Sequence, residues 1–424
     1  MSTTSEKAKK LLEFLSRLTS FDQVLDQVSI QKDRIPETKE LPGSLSWSKE
    51  AQEKRLTWIE KERGISLQHL SGKSQEQDPE ILRGNIENYI GMTQVPTGIV
   101  GPLLVRGTLA QGDFYIPMAT TEGALVASYN RGAKATRLSG GITSVCLTEA
   151  VQRAPVFRFN SLPEVGAFAQ WVLLHVEDFK KIVSTKSRYA KLEDFRINME
   201  GNQVTLVFEY TTGDAAGQNM VTLCTDAICK YIVAEIPNKP IHWFIESNYS
   251  GDKKATAVTF SNVRGKKVTA EALIKKEVVK RVLNSTPADI AQYWQTSSVG
   301  AVQSGAIGIQ GHYANGLAAI FLACGQDVAS VTEAHVGITR MEVNRDEDLY
   351  VAVTLPGLIV GTVGGGTRLA TQQECLKLMT CQGEGSARKF AELCGATALA
   401  GELSIAAALA SGDFSRAHKL FGRR

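Results

Sequence analysis

Cys-x-x-Cys spacing is missing from this chain, although seven cysteines are present: Cys146, Cys224, Cys229, Cys324, Cys375, Cys381 and Cys394. An odd set of scattered thiols in 424 residues forms neither a zinc-ribbon pattern nor a disulfide framework. The expectation is reduced, buried cysteines in a cytoplasmic protein. No cluster of candidate metal ligands stands out, so no metal is expected. An excess of one charge is also lacking: 47 Lys and Arg face 44 Asp and Glu, and the two signs are intermixed. That excludes an obvious nucleic-acid surface. The Gly-x-Gly-x-x-Gly fingerprint is absent, which removes a standard Rossmann site. No Gly-x-Ser-x-Gly elbow occurs, which removes the common serine-hydrolase arrangement. Long apolar runs are scarce. "GLAAIFLACG" at 316–325 falls short of the roughly 18 residues that span a bilayer. The N-terminal "MSTTSEKAKKLLEFLSRL" interrupts its leucines with charge, unlike a signal peptide.

Glycine, at 37 residues, is plentiful, and many glycines lie after residue 297, where small residues let backbone approach a ligand. The composition, 43% hydrophobic and 21% charged, is that of a globular protein of two or three domains. Leu11, Leu15, Leu18, Phe21, Leu25 and Val28 recur at helical spacing and predict an N-terminal helix with one apolar stripe. "RINMEGNQVTLVFEY" at 196–210 reads as two strands about a Gly-Asn turn. "GDAAGQNMVTLCTDAICKYIVAEI" then switches to helical period, with Val221, Cys224, Ile228, Tyr231 and Ile232 on one stripe. The expected fold is α+β. An N-terminal helical segment, 1–79, precedes a large domain, 80–155 and 245–410. A small domain, 156–244, interrupts the large one, and residues 411–424 form a C-terminal segment.

Charge in uncharged surroundings marks the candidate chemistry. Glu122 sits in "IPMATTEGALVAS", Lys253 in "SGDKKATAV" and Asp327 at the end of "AAIFLACGQD". Taken singly, each has an ordinary explanation: a solvated turn for Lys253, a helix boundary for Asp327. His418, near the terminus, reads alone as a surface residue. If the first three converge, the lysine offsets two carboxylates, and a carboxyl kept protonated near neutral pH can deliver a proton to a developing alkoxide. "TTGDAAGQNM" places small residues at a helix start after a strand. That arrangement suits a pyrophosphate, unless Asp214 merely caps the helix. "GTVGGGT" at 361–367 is a second flexible loop.

In order along the chain, "ENYIGMTQVPTGIVGPL", "PMATTEGALVASYNRGAKA", "DAAGQNM", "DKK", "GHYANGLAAIFLACGQD", "GTVGGGT" and "GELS" closely resemble the catalytic portion of the 3-hydroxy-3-methylglutaryl-coenzyme A (HMG-CoA) reductases. The likeness runs from about residue 50 to about 420 and is closest to class I, in a form without the family's membrane anchor. It implies reduction of HMG-CoA to mevalonate and CoA by two NADPH. It also implies a small ferredoxin-like, non-Rossmann NADP-binding domain, a C-terminal flap, and a homodimer or homotetramer with its active site between subunits.

By motif, Glu122, Lys253, Asp327 and His418 match the catalytic residues. Arg153, Asn248, Asp252 and Lys254 match the acyl-binding positions. Ser128, Asn130, Arg131, Lys134, His312 and Asn315 match the CoA-binding ones. Ser187, Arg188, Tyr189, Asp214, Gly217, Gln218, Asn219, Met220, Gly365, Gly366 and Thr367 match the cofactor site. Two positions depart from the pattern. Gln295 stands where class I has a lysine, and Glu246 where relatives have a small polar residue; both touch acyl recognition. The alternatives are the same fold acting on a related acyl-CoA, mevalonate oxidation with NAD, or a non-catalytic CoA-binding paralogue.

Overall fold

The computed structural model describes residues 4–31, 35–37, 40–43, 46–75 and 78–414. Helices α1 (Ser5–Leu18), α2 (Phe21–Val28) and α3 (Lys49–Arg63) come first. The apolar stripe of the N-terminus is therefore carried by two helices. The break falls at Thr19–Ser20 because Ser20 and Gln23 form a reciprocal capping box that starts α2 afresh. Leu15 and Val24 are buried, whereas Leu18, Phe21 and Leu25 stay largely exposed.

A hairpin follows, β1 (Thr97–Gly107) with β2 (Gln111–Ala119), then α4 (Leu125–Leu138) and β3 (Ile142–Arg153). Next come β4 (Val156–Arg158), α5 (Leu162–Leu174), α6 (Val176–Lys186), β5 (Lys191–Glu200), β6 (Gln203–Thr211), α7 (Gln218–Glu235) and β7 (His242–Phe244). The chain then runs through α8 (Ala257–Asn262), β8 (Gly265–Ile274), α9 (Lys276–Val278), α10 (Pro287–Ser304), β9 (Gly308–Ile309), α11 (Tyr313–Ala323) and α12 (Val331–Ala334). It closes with β10 (Gly337–Val343), β11 (Leu349–Leu358), α13 (Ala370–Leu378) and α14 (Ser386–Ala410).

The strands form one mixed α+β sheet, and β3 is its joint. Residues 142–150 of β3 pair with β1 and β8, while Val151–Arg153 pair with β6. On one side β8, β11, β10 and β9 continue the sheet; on the other the order is β7-β4-β6-β5, every neighbour antiparallel. Two cores match these halves. Val204, Leu206, Phe208 and Tyr210 of β6 bury against Val221, Cys224, Ile228 and Ile232 of α7. That is the period-two and period-3.6 patterning read from the sequence, and each such apolar side chain contributes about 1.5–3 kcal/mol. On the alternate face Glu209 pairs with Lys7, and Glu193 of β5 pairs with Lys10 at 2.5 Å, so α1 is tied to this half of its own chain.

The larger core surrounds α14, which packs on α4, α10, α11 and strands β3, β8 and β11. Among the described residues, α14 is the helix long and apolar enough to cross a membrane, and 83% of that stretch is buried inside the protein. The expectation that every apolar stretch would be shorter is thereby corrected. Small residues made α14 look ordinary in sequence, and they let neighbouring backbone come close: a Cβ on Gly132 of α4 would strike Ala400. All seven cysteines are free and buried.

Candidate active site

Helix α11 organises the candidate residues into two groups, one at each of its ends. Its first turn is held by Glu402 of "GELS", a buried carboxylate that accepts from the backbone N–H groups of Gly311 (2.8 Å) and His312 (2.7 Å). Glu402 also takes the Thr339 hydroxyl (2.7 Å) and faces His312 Nδ1 at 3.2 Å. Burial alone would push this carboxyl up, yet His312, Thr339 and the Gly311 N–H hold it below the usual range. His312 stacks on Tyr129 at 5.4 Å. On the same face, Asn315 Nδ2 donates to Glu122 Oε2 at 2.8 Å.

Glu122 is not in a buried helix. It lies in the exposed turn between β2 and α4, where Thr120 Oγ1 accepts its N–H at 3.0 Å. Small residues flank it because α4 must pack tightly on α14. Around it, Ser128 Oγ meets Ser404 Oγ at 2.9 Å, and Arg131 donates to the Ser404 hydroxyl (3.0 Å) and carbonyl (2.6 Å). Lys134 is exposed, with Glu40 at 4.0 Å. Asn130 accepts from Gly101 N–H and donates to Ile99 O, so its amide ties α4 to β1.

The other end of α11 holds the charged group. Lys253 Nζ lies 2.9 Å from Asp327 Oδ2, both side chains about half exposed. That hydrogen bond, with a Coulombic part beside it, raises the lysine's pKa. Asp327 also caps the short turn after α11 by accepting from Ala329 N–H at 3.0 Å. Beneath the pair, Arg153 Nη1 reaches Asp252 Oδ2 at 3.1 Å and Glu246 Oε2 at 3.5 Å. Glu246 further accepts from Ala154 N–H and the Ser250 hydroxyl. Lys254 turns back to Asp252 O (3.0 Å), and Asn248 shapes the same loop with φ 65°.

At about 1.5 Å per residue, the eight steps of α11 from Asn315 to Ala323 put roughly 12 Å of helix axis between Glu122's partner and the turn that leads to Asp327. Lys253 and Asp327 thus meet, while Glu122 is bonded at the opposite pole. Gln295, on α10, is exposed. His418 lies outside the described residues.

Three loops meet near Asp327. Gln326 clamps Gly361 reciprocally at 2.9 Å in both directions. A Cβ on Gly325 would strike Gly366, and one on Gly361 would strike Ala216, so "CGQD", "GTVGGGT" and "DAAG" touch through bare backbone. Helix α7 opens at Gly217 (φ 83°) with no side-chain cap, leaving the N–H groups of its first turn, Gln218, Asn219 and Met220, directed outward. Both oxygens of Asp214 cap α14, accepting from Gly385 (3.0 Å) and Ala387 (2.8 Å). Thr367 closes its own loop by donating to Gly364 O at 2.6 Å, and Gly365 holds φ 52°. Register pairs Lys191 with Thr211, which brings the Ser187–Tyr189 turn to the same end of the small sheet as the α7 entry. Ser187 Oγ accepts from Tyr189 and Ala190 N–H; Arg188 and Tyr189 are exposed.

A family model described as hydroxymethylglutaryl-coenzyme A reductase matches residues 51–423. The chain belongs to the HMG-CoA reductase family. It is 43% identical over 380 residues to the 3-hydroxy-3-methylglutaryl-coenzyme A reductase of Pyrococcus abyssi, covering 88% of this chain and 93% of that one. Against the enzyme of Aeropyrum pernix it is 42% identical over 428 residues, 100% and 98% covered. In structure it resembles a class II 3-hydroxy-3-methylglutaryl-CoA reductase from Streptococcus pneumoniae, whose solved form is bound to NADPH. There the TM-score is 0.68 at 19% identity, with 86% of this chain and 100% of that one covered. Within this family frame, sequence reading passed over Glu402, Arg264 and Glu333. Glu402 and Glu333 show the same signal as Glu122, a lone carboxylate among small or apolar neighbours in "AGELS" and "SVTEAHV", whereas Arg264 in "NVRGKK" is followed by two lysines and carries no such signal.

Proposed function

We propose that this chain reduces HMG-CoA to mevalonate and CoA at the expense of two NADPH, as an oxidoreductase of the mevalonate route to isoprenoids. The observation that carries this reading is the 2.9 Å pair of Lys253 with Asp327, set above Arg153 and beside the uncapped start of α7. The residues fit a dinucleotide: free N–H groups at a helix N-terminus, glycines that admit no side chain, and an exposed Arg188 for an adenosine 2′-phosphate. The small half, order β7-β4-β6-β5 with helical crossovers, has the strand order of a ferredoxin-like domain, and we assign it residues 156–244. Residues 80–155 and 245–410 are then the large domain, after an N-terminal segment that ends at residue 79.

NADPH supplies a hydride at each of the two reductive steps. Lys253 stabilises the negative charge that develops on the acyl oxygen, and Asp327 keeps that lysine charged and aimed. Arg153 with Asp252, Asn248 and Lys254 seats the acyl group. Glu122, oriented by Asn315, delivers the proton to the alkoxide, and His418 protonates the departing thiolate. We assign Arg131 and Lys134 to the phosphates of CoA, with Ser128 and His312 in the same CoA-binding set.

Glu122 bonds near the start of α11 and Lys253 pairs beyond its end, so we infer that the two meet a shared substrate from different copies of the chain. A site completed between two copies reconciles them, which supports a homodimer or a multiple of it. The test is stoichiometric: purified protein given HMG-CoA consumes two NADPH and releases one thiol per mevalonate, and Glu122→Gln abolishes all three. Turnover only of mevalonate with CoA and NAD would replace this reading with the oxidative one.

A further inference from the structure

Arg264, at the entry to β8, is fully buried, its main-chain N–H on Pro356 O at 3.1 Å. Withdrawing a guanidinium from water costs several kcal/mol, and a packed apolar residue serves stability as well or better. Stability is therefore a poor reason for this arginine to be here. Its contacts offer another. Nη2 donates to Asp252 Oδ1 at 2.6 Å and to Gln218 Oε1 at 3.3 Å; Nη1 donates to Gln152 O at 3.3 Å; Nε donates to Glu333. Asp252 immediately precedes Lys253, and Glu333 lies in α12, the helical turn that follows Asp327. Arg264 thus joins from below the two segments whose tips form the Lys253–Asp327 pair.

The tip needs such support. Lys253 holds φ 55°, a left-handed conformation that costs a residue with a Cβ roughly 1–2 kcal/mol and persists only where the surroundings enforce it. Asp252 is gripped on both oxygens by different arginines, Arg264 on Oδ1 and Arg153 on Oδ2. Gln218, the first residue of α7, touches both arginines, through its side chain to Arg264 and its carbonyl to Arg153.

We propose that Arg264 is a positioning residue for the reaction: through Asp252 and Glu333 it sets the geometry of Lys253 against Asp327 and registers that pair with the start of the cofactor helix. The proposal rests on the reductase reading for its kinetic arm only. Arg264→Lys keeps the charge but cannot fork to two carboxylates. Its kcat falls about 10- to 100-fold, the loss that a displacement near 1 Å brings, while both KM values stay within about threefold.

Competitive amine labelling, read peptide by peptide at pH 9, needs no turnover. In Arg264→Lys, Lys253 labels at least about threefold faster as its bond to Asp327 loosens, and Lys254 next to it is unchanged. Should that variant fail to fold, the isosteric Glu333→Gln carries the same readout. Wild-type labelling of Lys253 in a folded variant overturns the proposal, even if activity drops. Loss of fold in both variants also overturns it, because the network is then structural. A wild-type protein inert toward HMG-CoA would instead sink the functional reading and leave the labelling result standing.

Discussion

The two poles of α11 solve opposite problems. At the N-terminal pole, Glu122 is exposed and steered by the Asn315 amide, with no ion pair among the described residues, and the buried Glu402 behind it fixes His312. At the C-terminal pole, Lys253 and Asp327 rest on an interlocked set of Arg153, Asp252, Arg264, Glu246 and Glu333. A proton donor has to meet its substrate with freedom to change charge, so a loose single partner suits it. A cation that stabilises an oxyanion gains from being fixed before the reaction begins. The difference in support is what the proposed reading expects of a proton donor and an oxyanion cation that act together.

Separating the halves gives the largest expected effect. Glu122→Gln and Lys253→Ala should each lower kcat by about 10²–10⁴-fold. Co-expressed, the two variants should regain up to about a quarter of wild-type activity, because half of randomly paired dimers contain one site with both residues intact. If the mixture is no more active than its parts, both residues act within one chain and the two-copy arrangement fails.

A second test bears on the charged pole. Burial raises the carboxyl of Glu333 to about 7, against the opposing pull of Arg264. A carboxyl raised on folding binds its proton more tightly in the native state. Its favourable contribution is present below its ordinary pKa near 4.5 and is lost as pH rises through about 7. Wild-type Tm should therefore decline by a few degrees between pH 5 and pH 8, and Glu333→Gln should flatten that decline. Equal slopes in the two proteins would show that Glu333 stays ionised throughout.

What could be read before folding, and what could not, follows the range of each interaction. The β5–β6 hairpin and the stripe of α7 are local, and periodicity alone located them. The chemistry of "DKK" and "CGQD" was legible only through the resemblance to the reductases, since Lys253 and Asp327 taken singly read as a solvated turn and a helix boundary. The cap that Asp214 places on α14 was not, because its partners, Gly385 and Ala387, lie far along the chain. Nor was β3: no composition change marks the point where it passes from one core to the other.

Asp214 supplies a smaller test of the same boundary. Asp214→Ala removes the cap of α14 and should cost about 0.5–2 kcal/mol, seen as a lower Tm with the KM for NADPH little changed. The reverse outcome, a raised KM with Tm intact, would return Asp214 to the cofactor.

The smallest effect concerns Glu246, which takes part of the charge of Arg153 while its other bonds, to Ala154 and Ser250, tie down the loop. Glu246→Gln retains an acceptor for those two donors and deletes one negative charge beside the guanidinium. An acyl carboxylate reaching for Arg153 then meets less repulsion. At the effective dielectric of a partly exposed pocket, the gain for one charge is modest, about threefold in the KM for HMG-CoA. An uncharged acyl-CoA should show no such gain. If instead both KM values rise together, Glu246 matters for the loop and not for the charge it sets against Arg153, and the charged pole would owe its acyl preference to Arg153 and Asp252 alone.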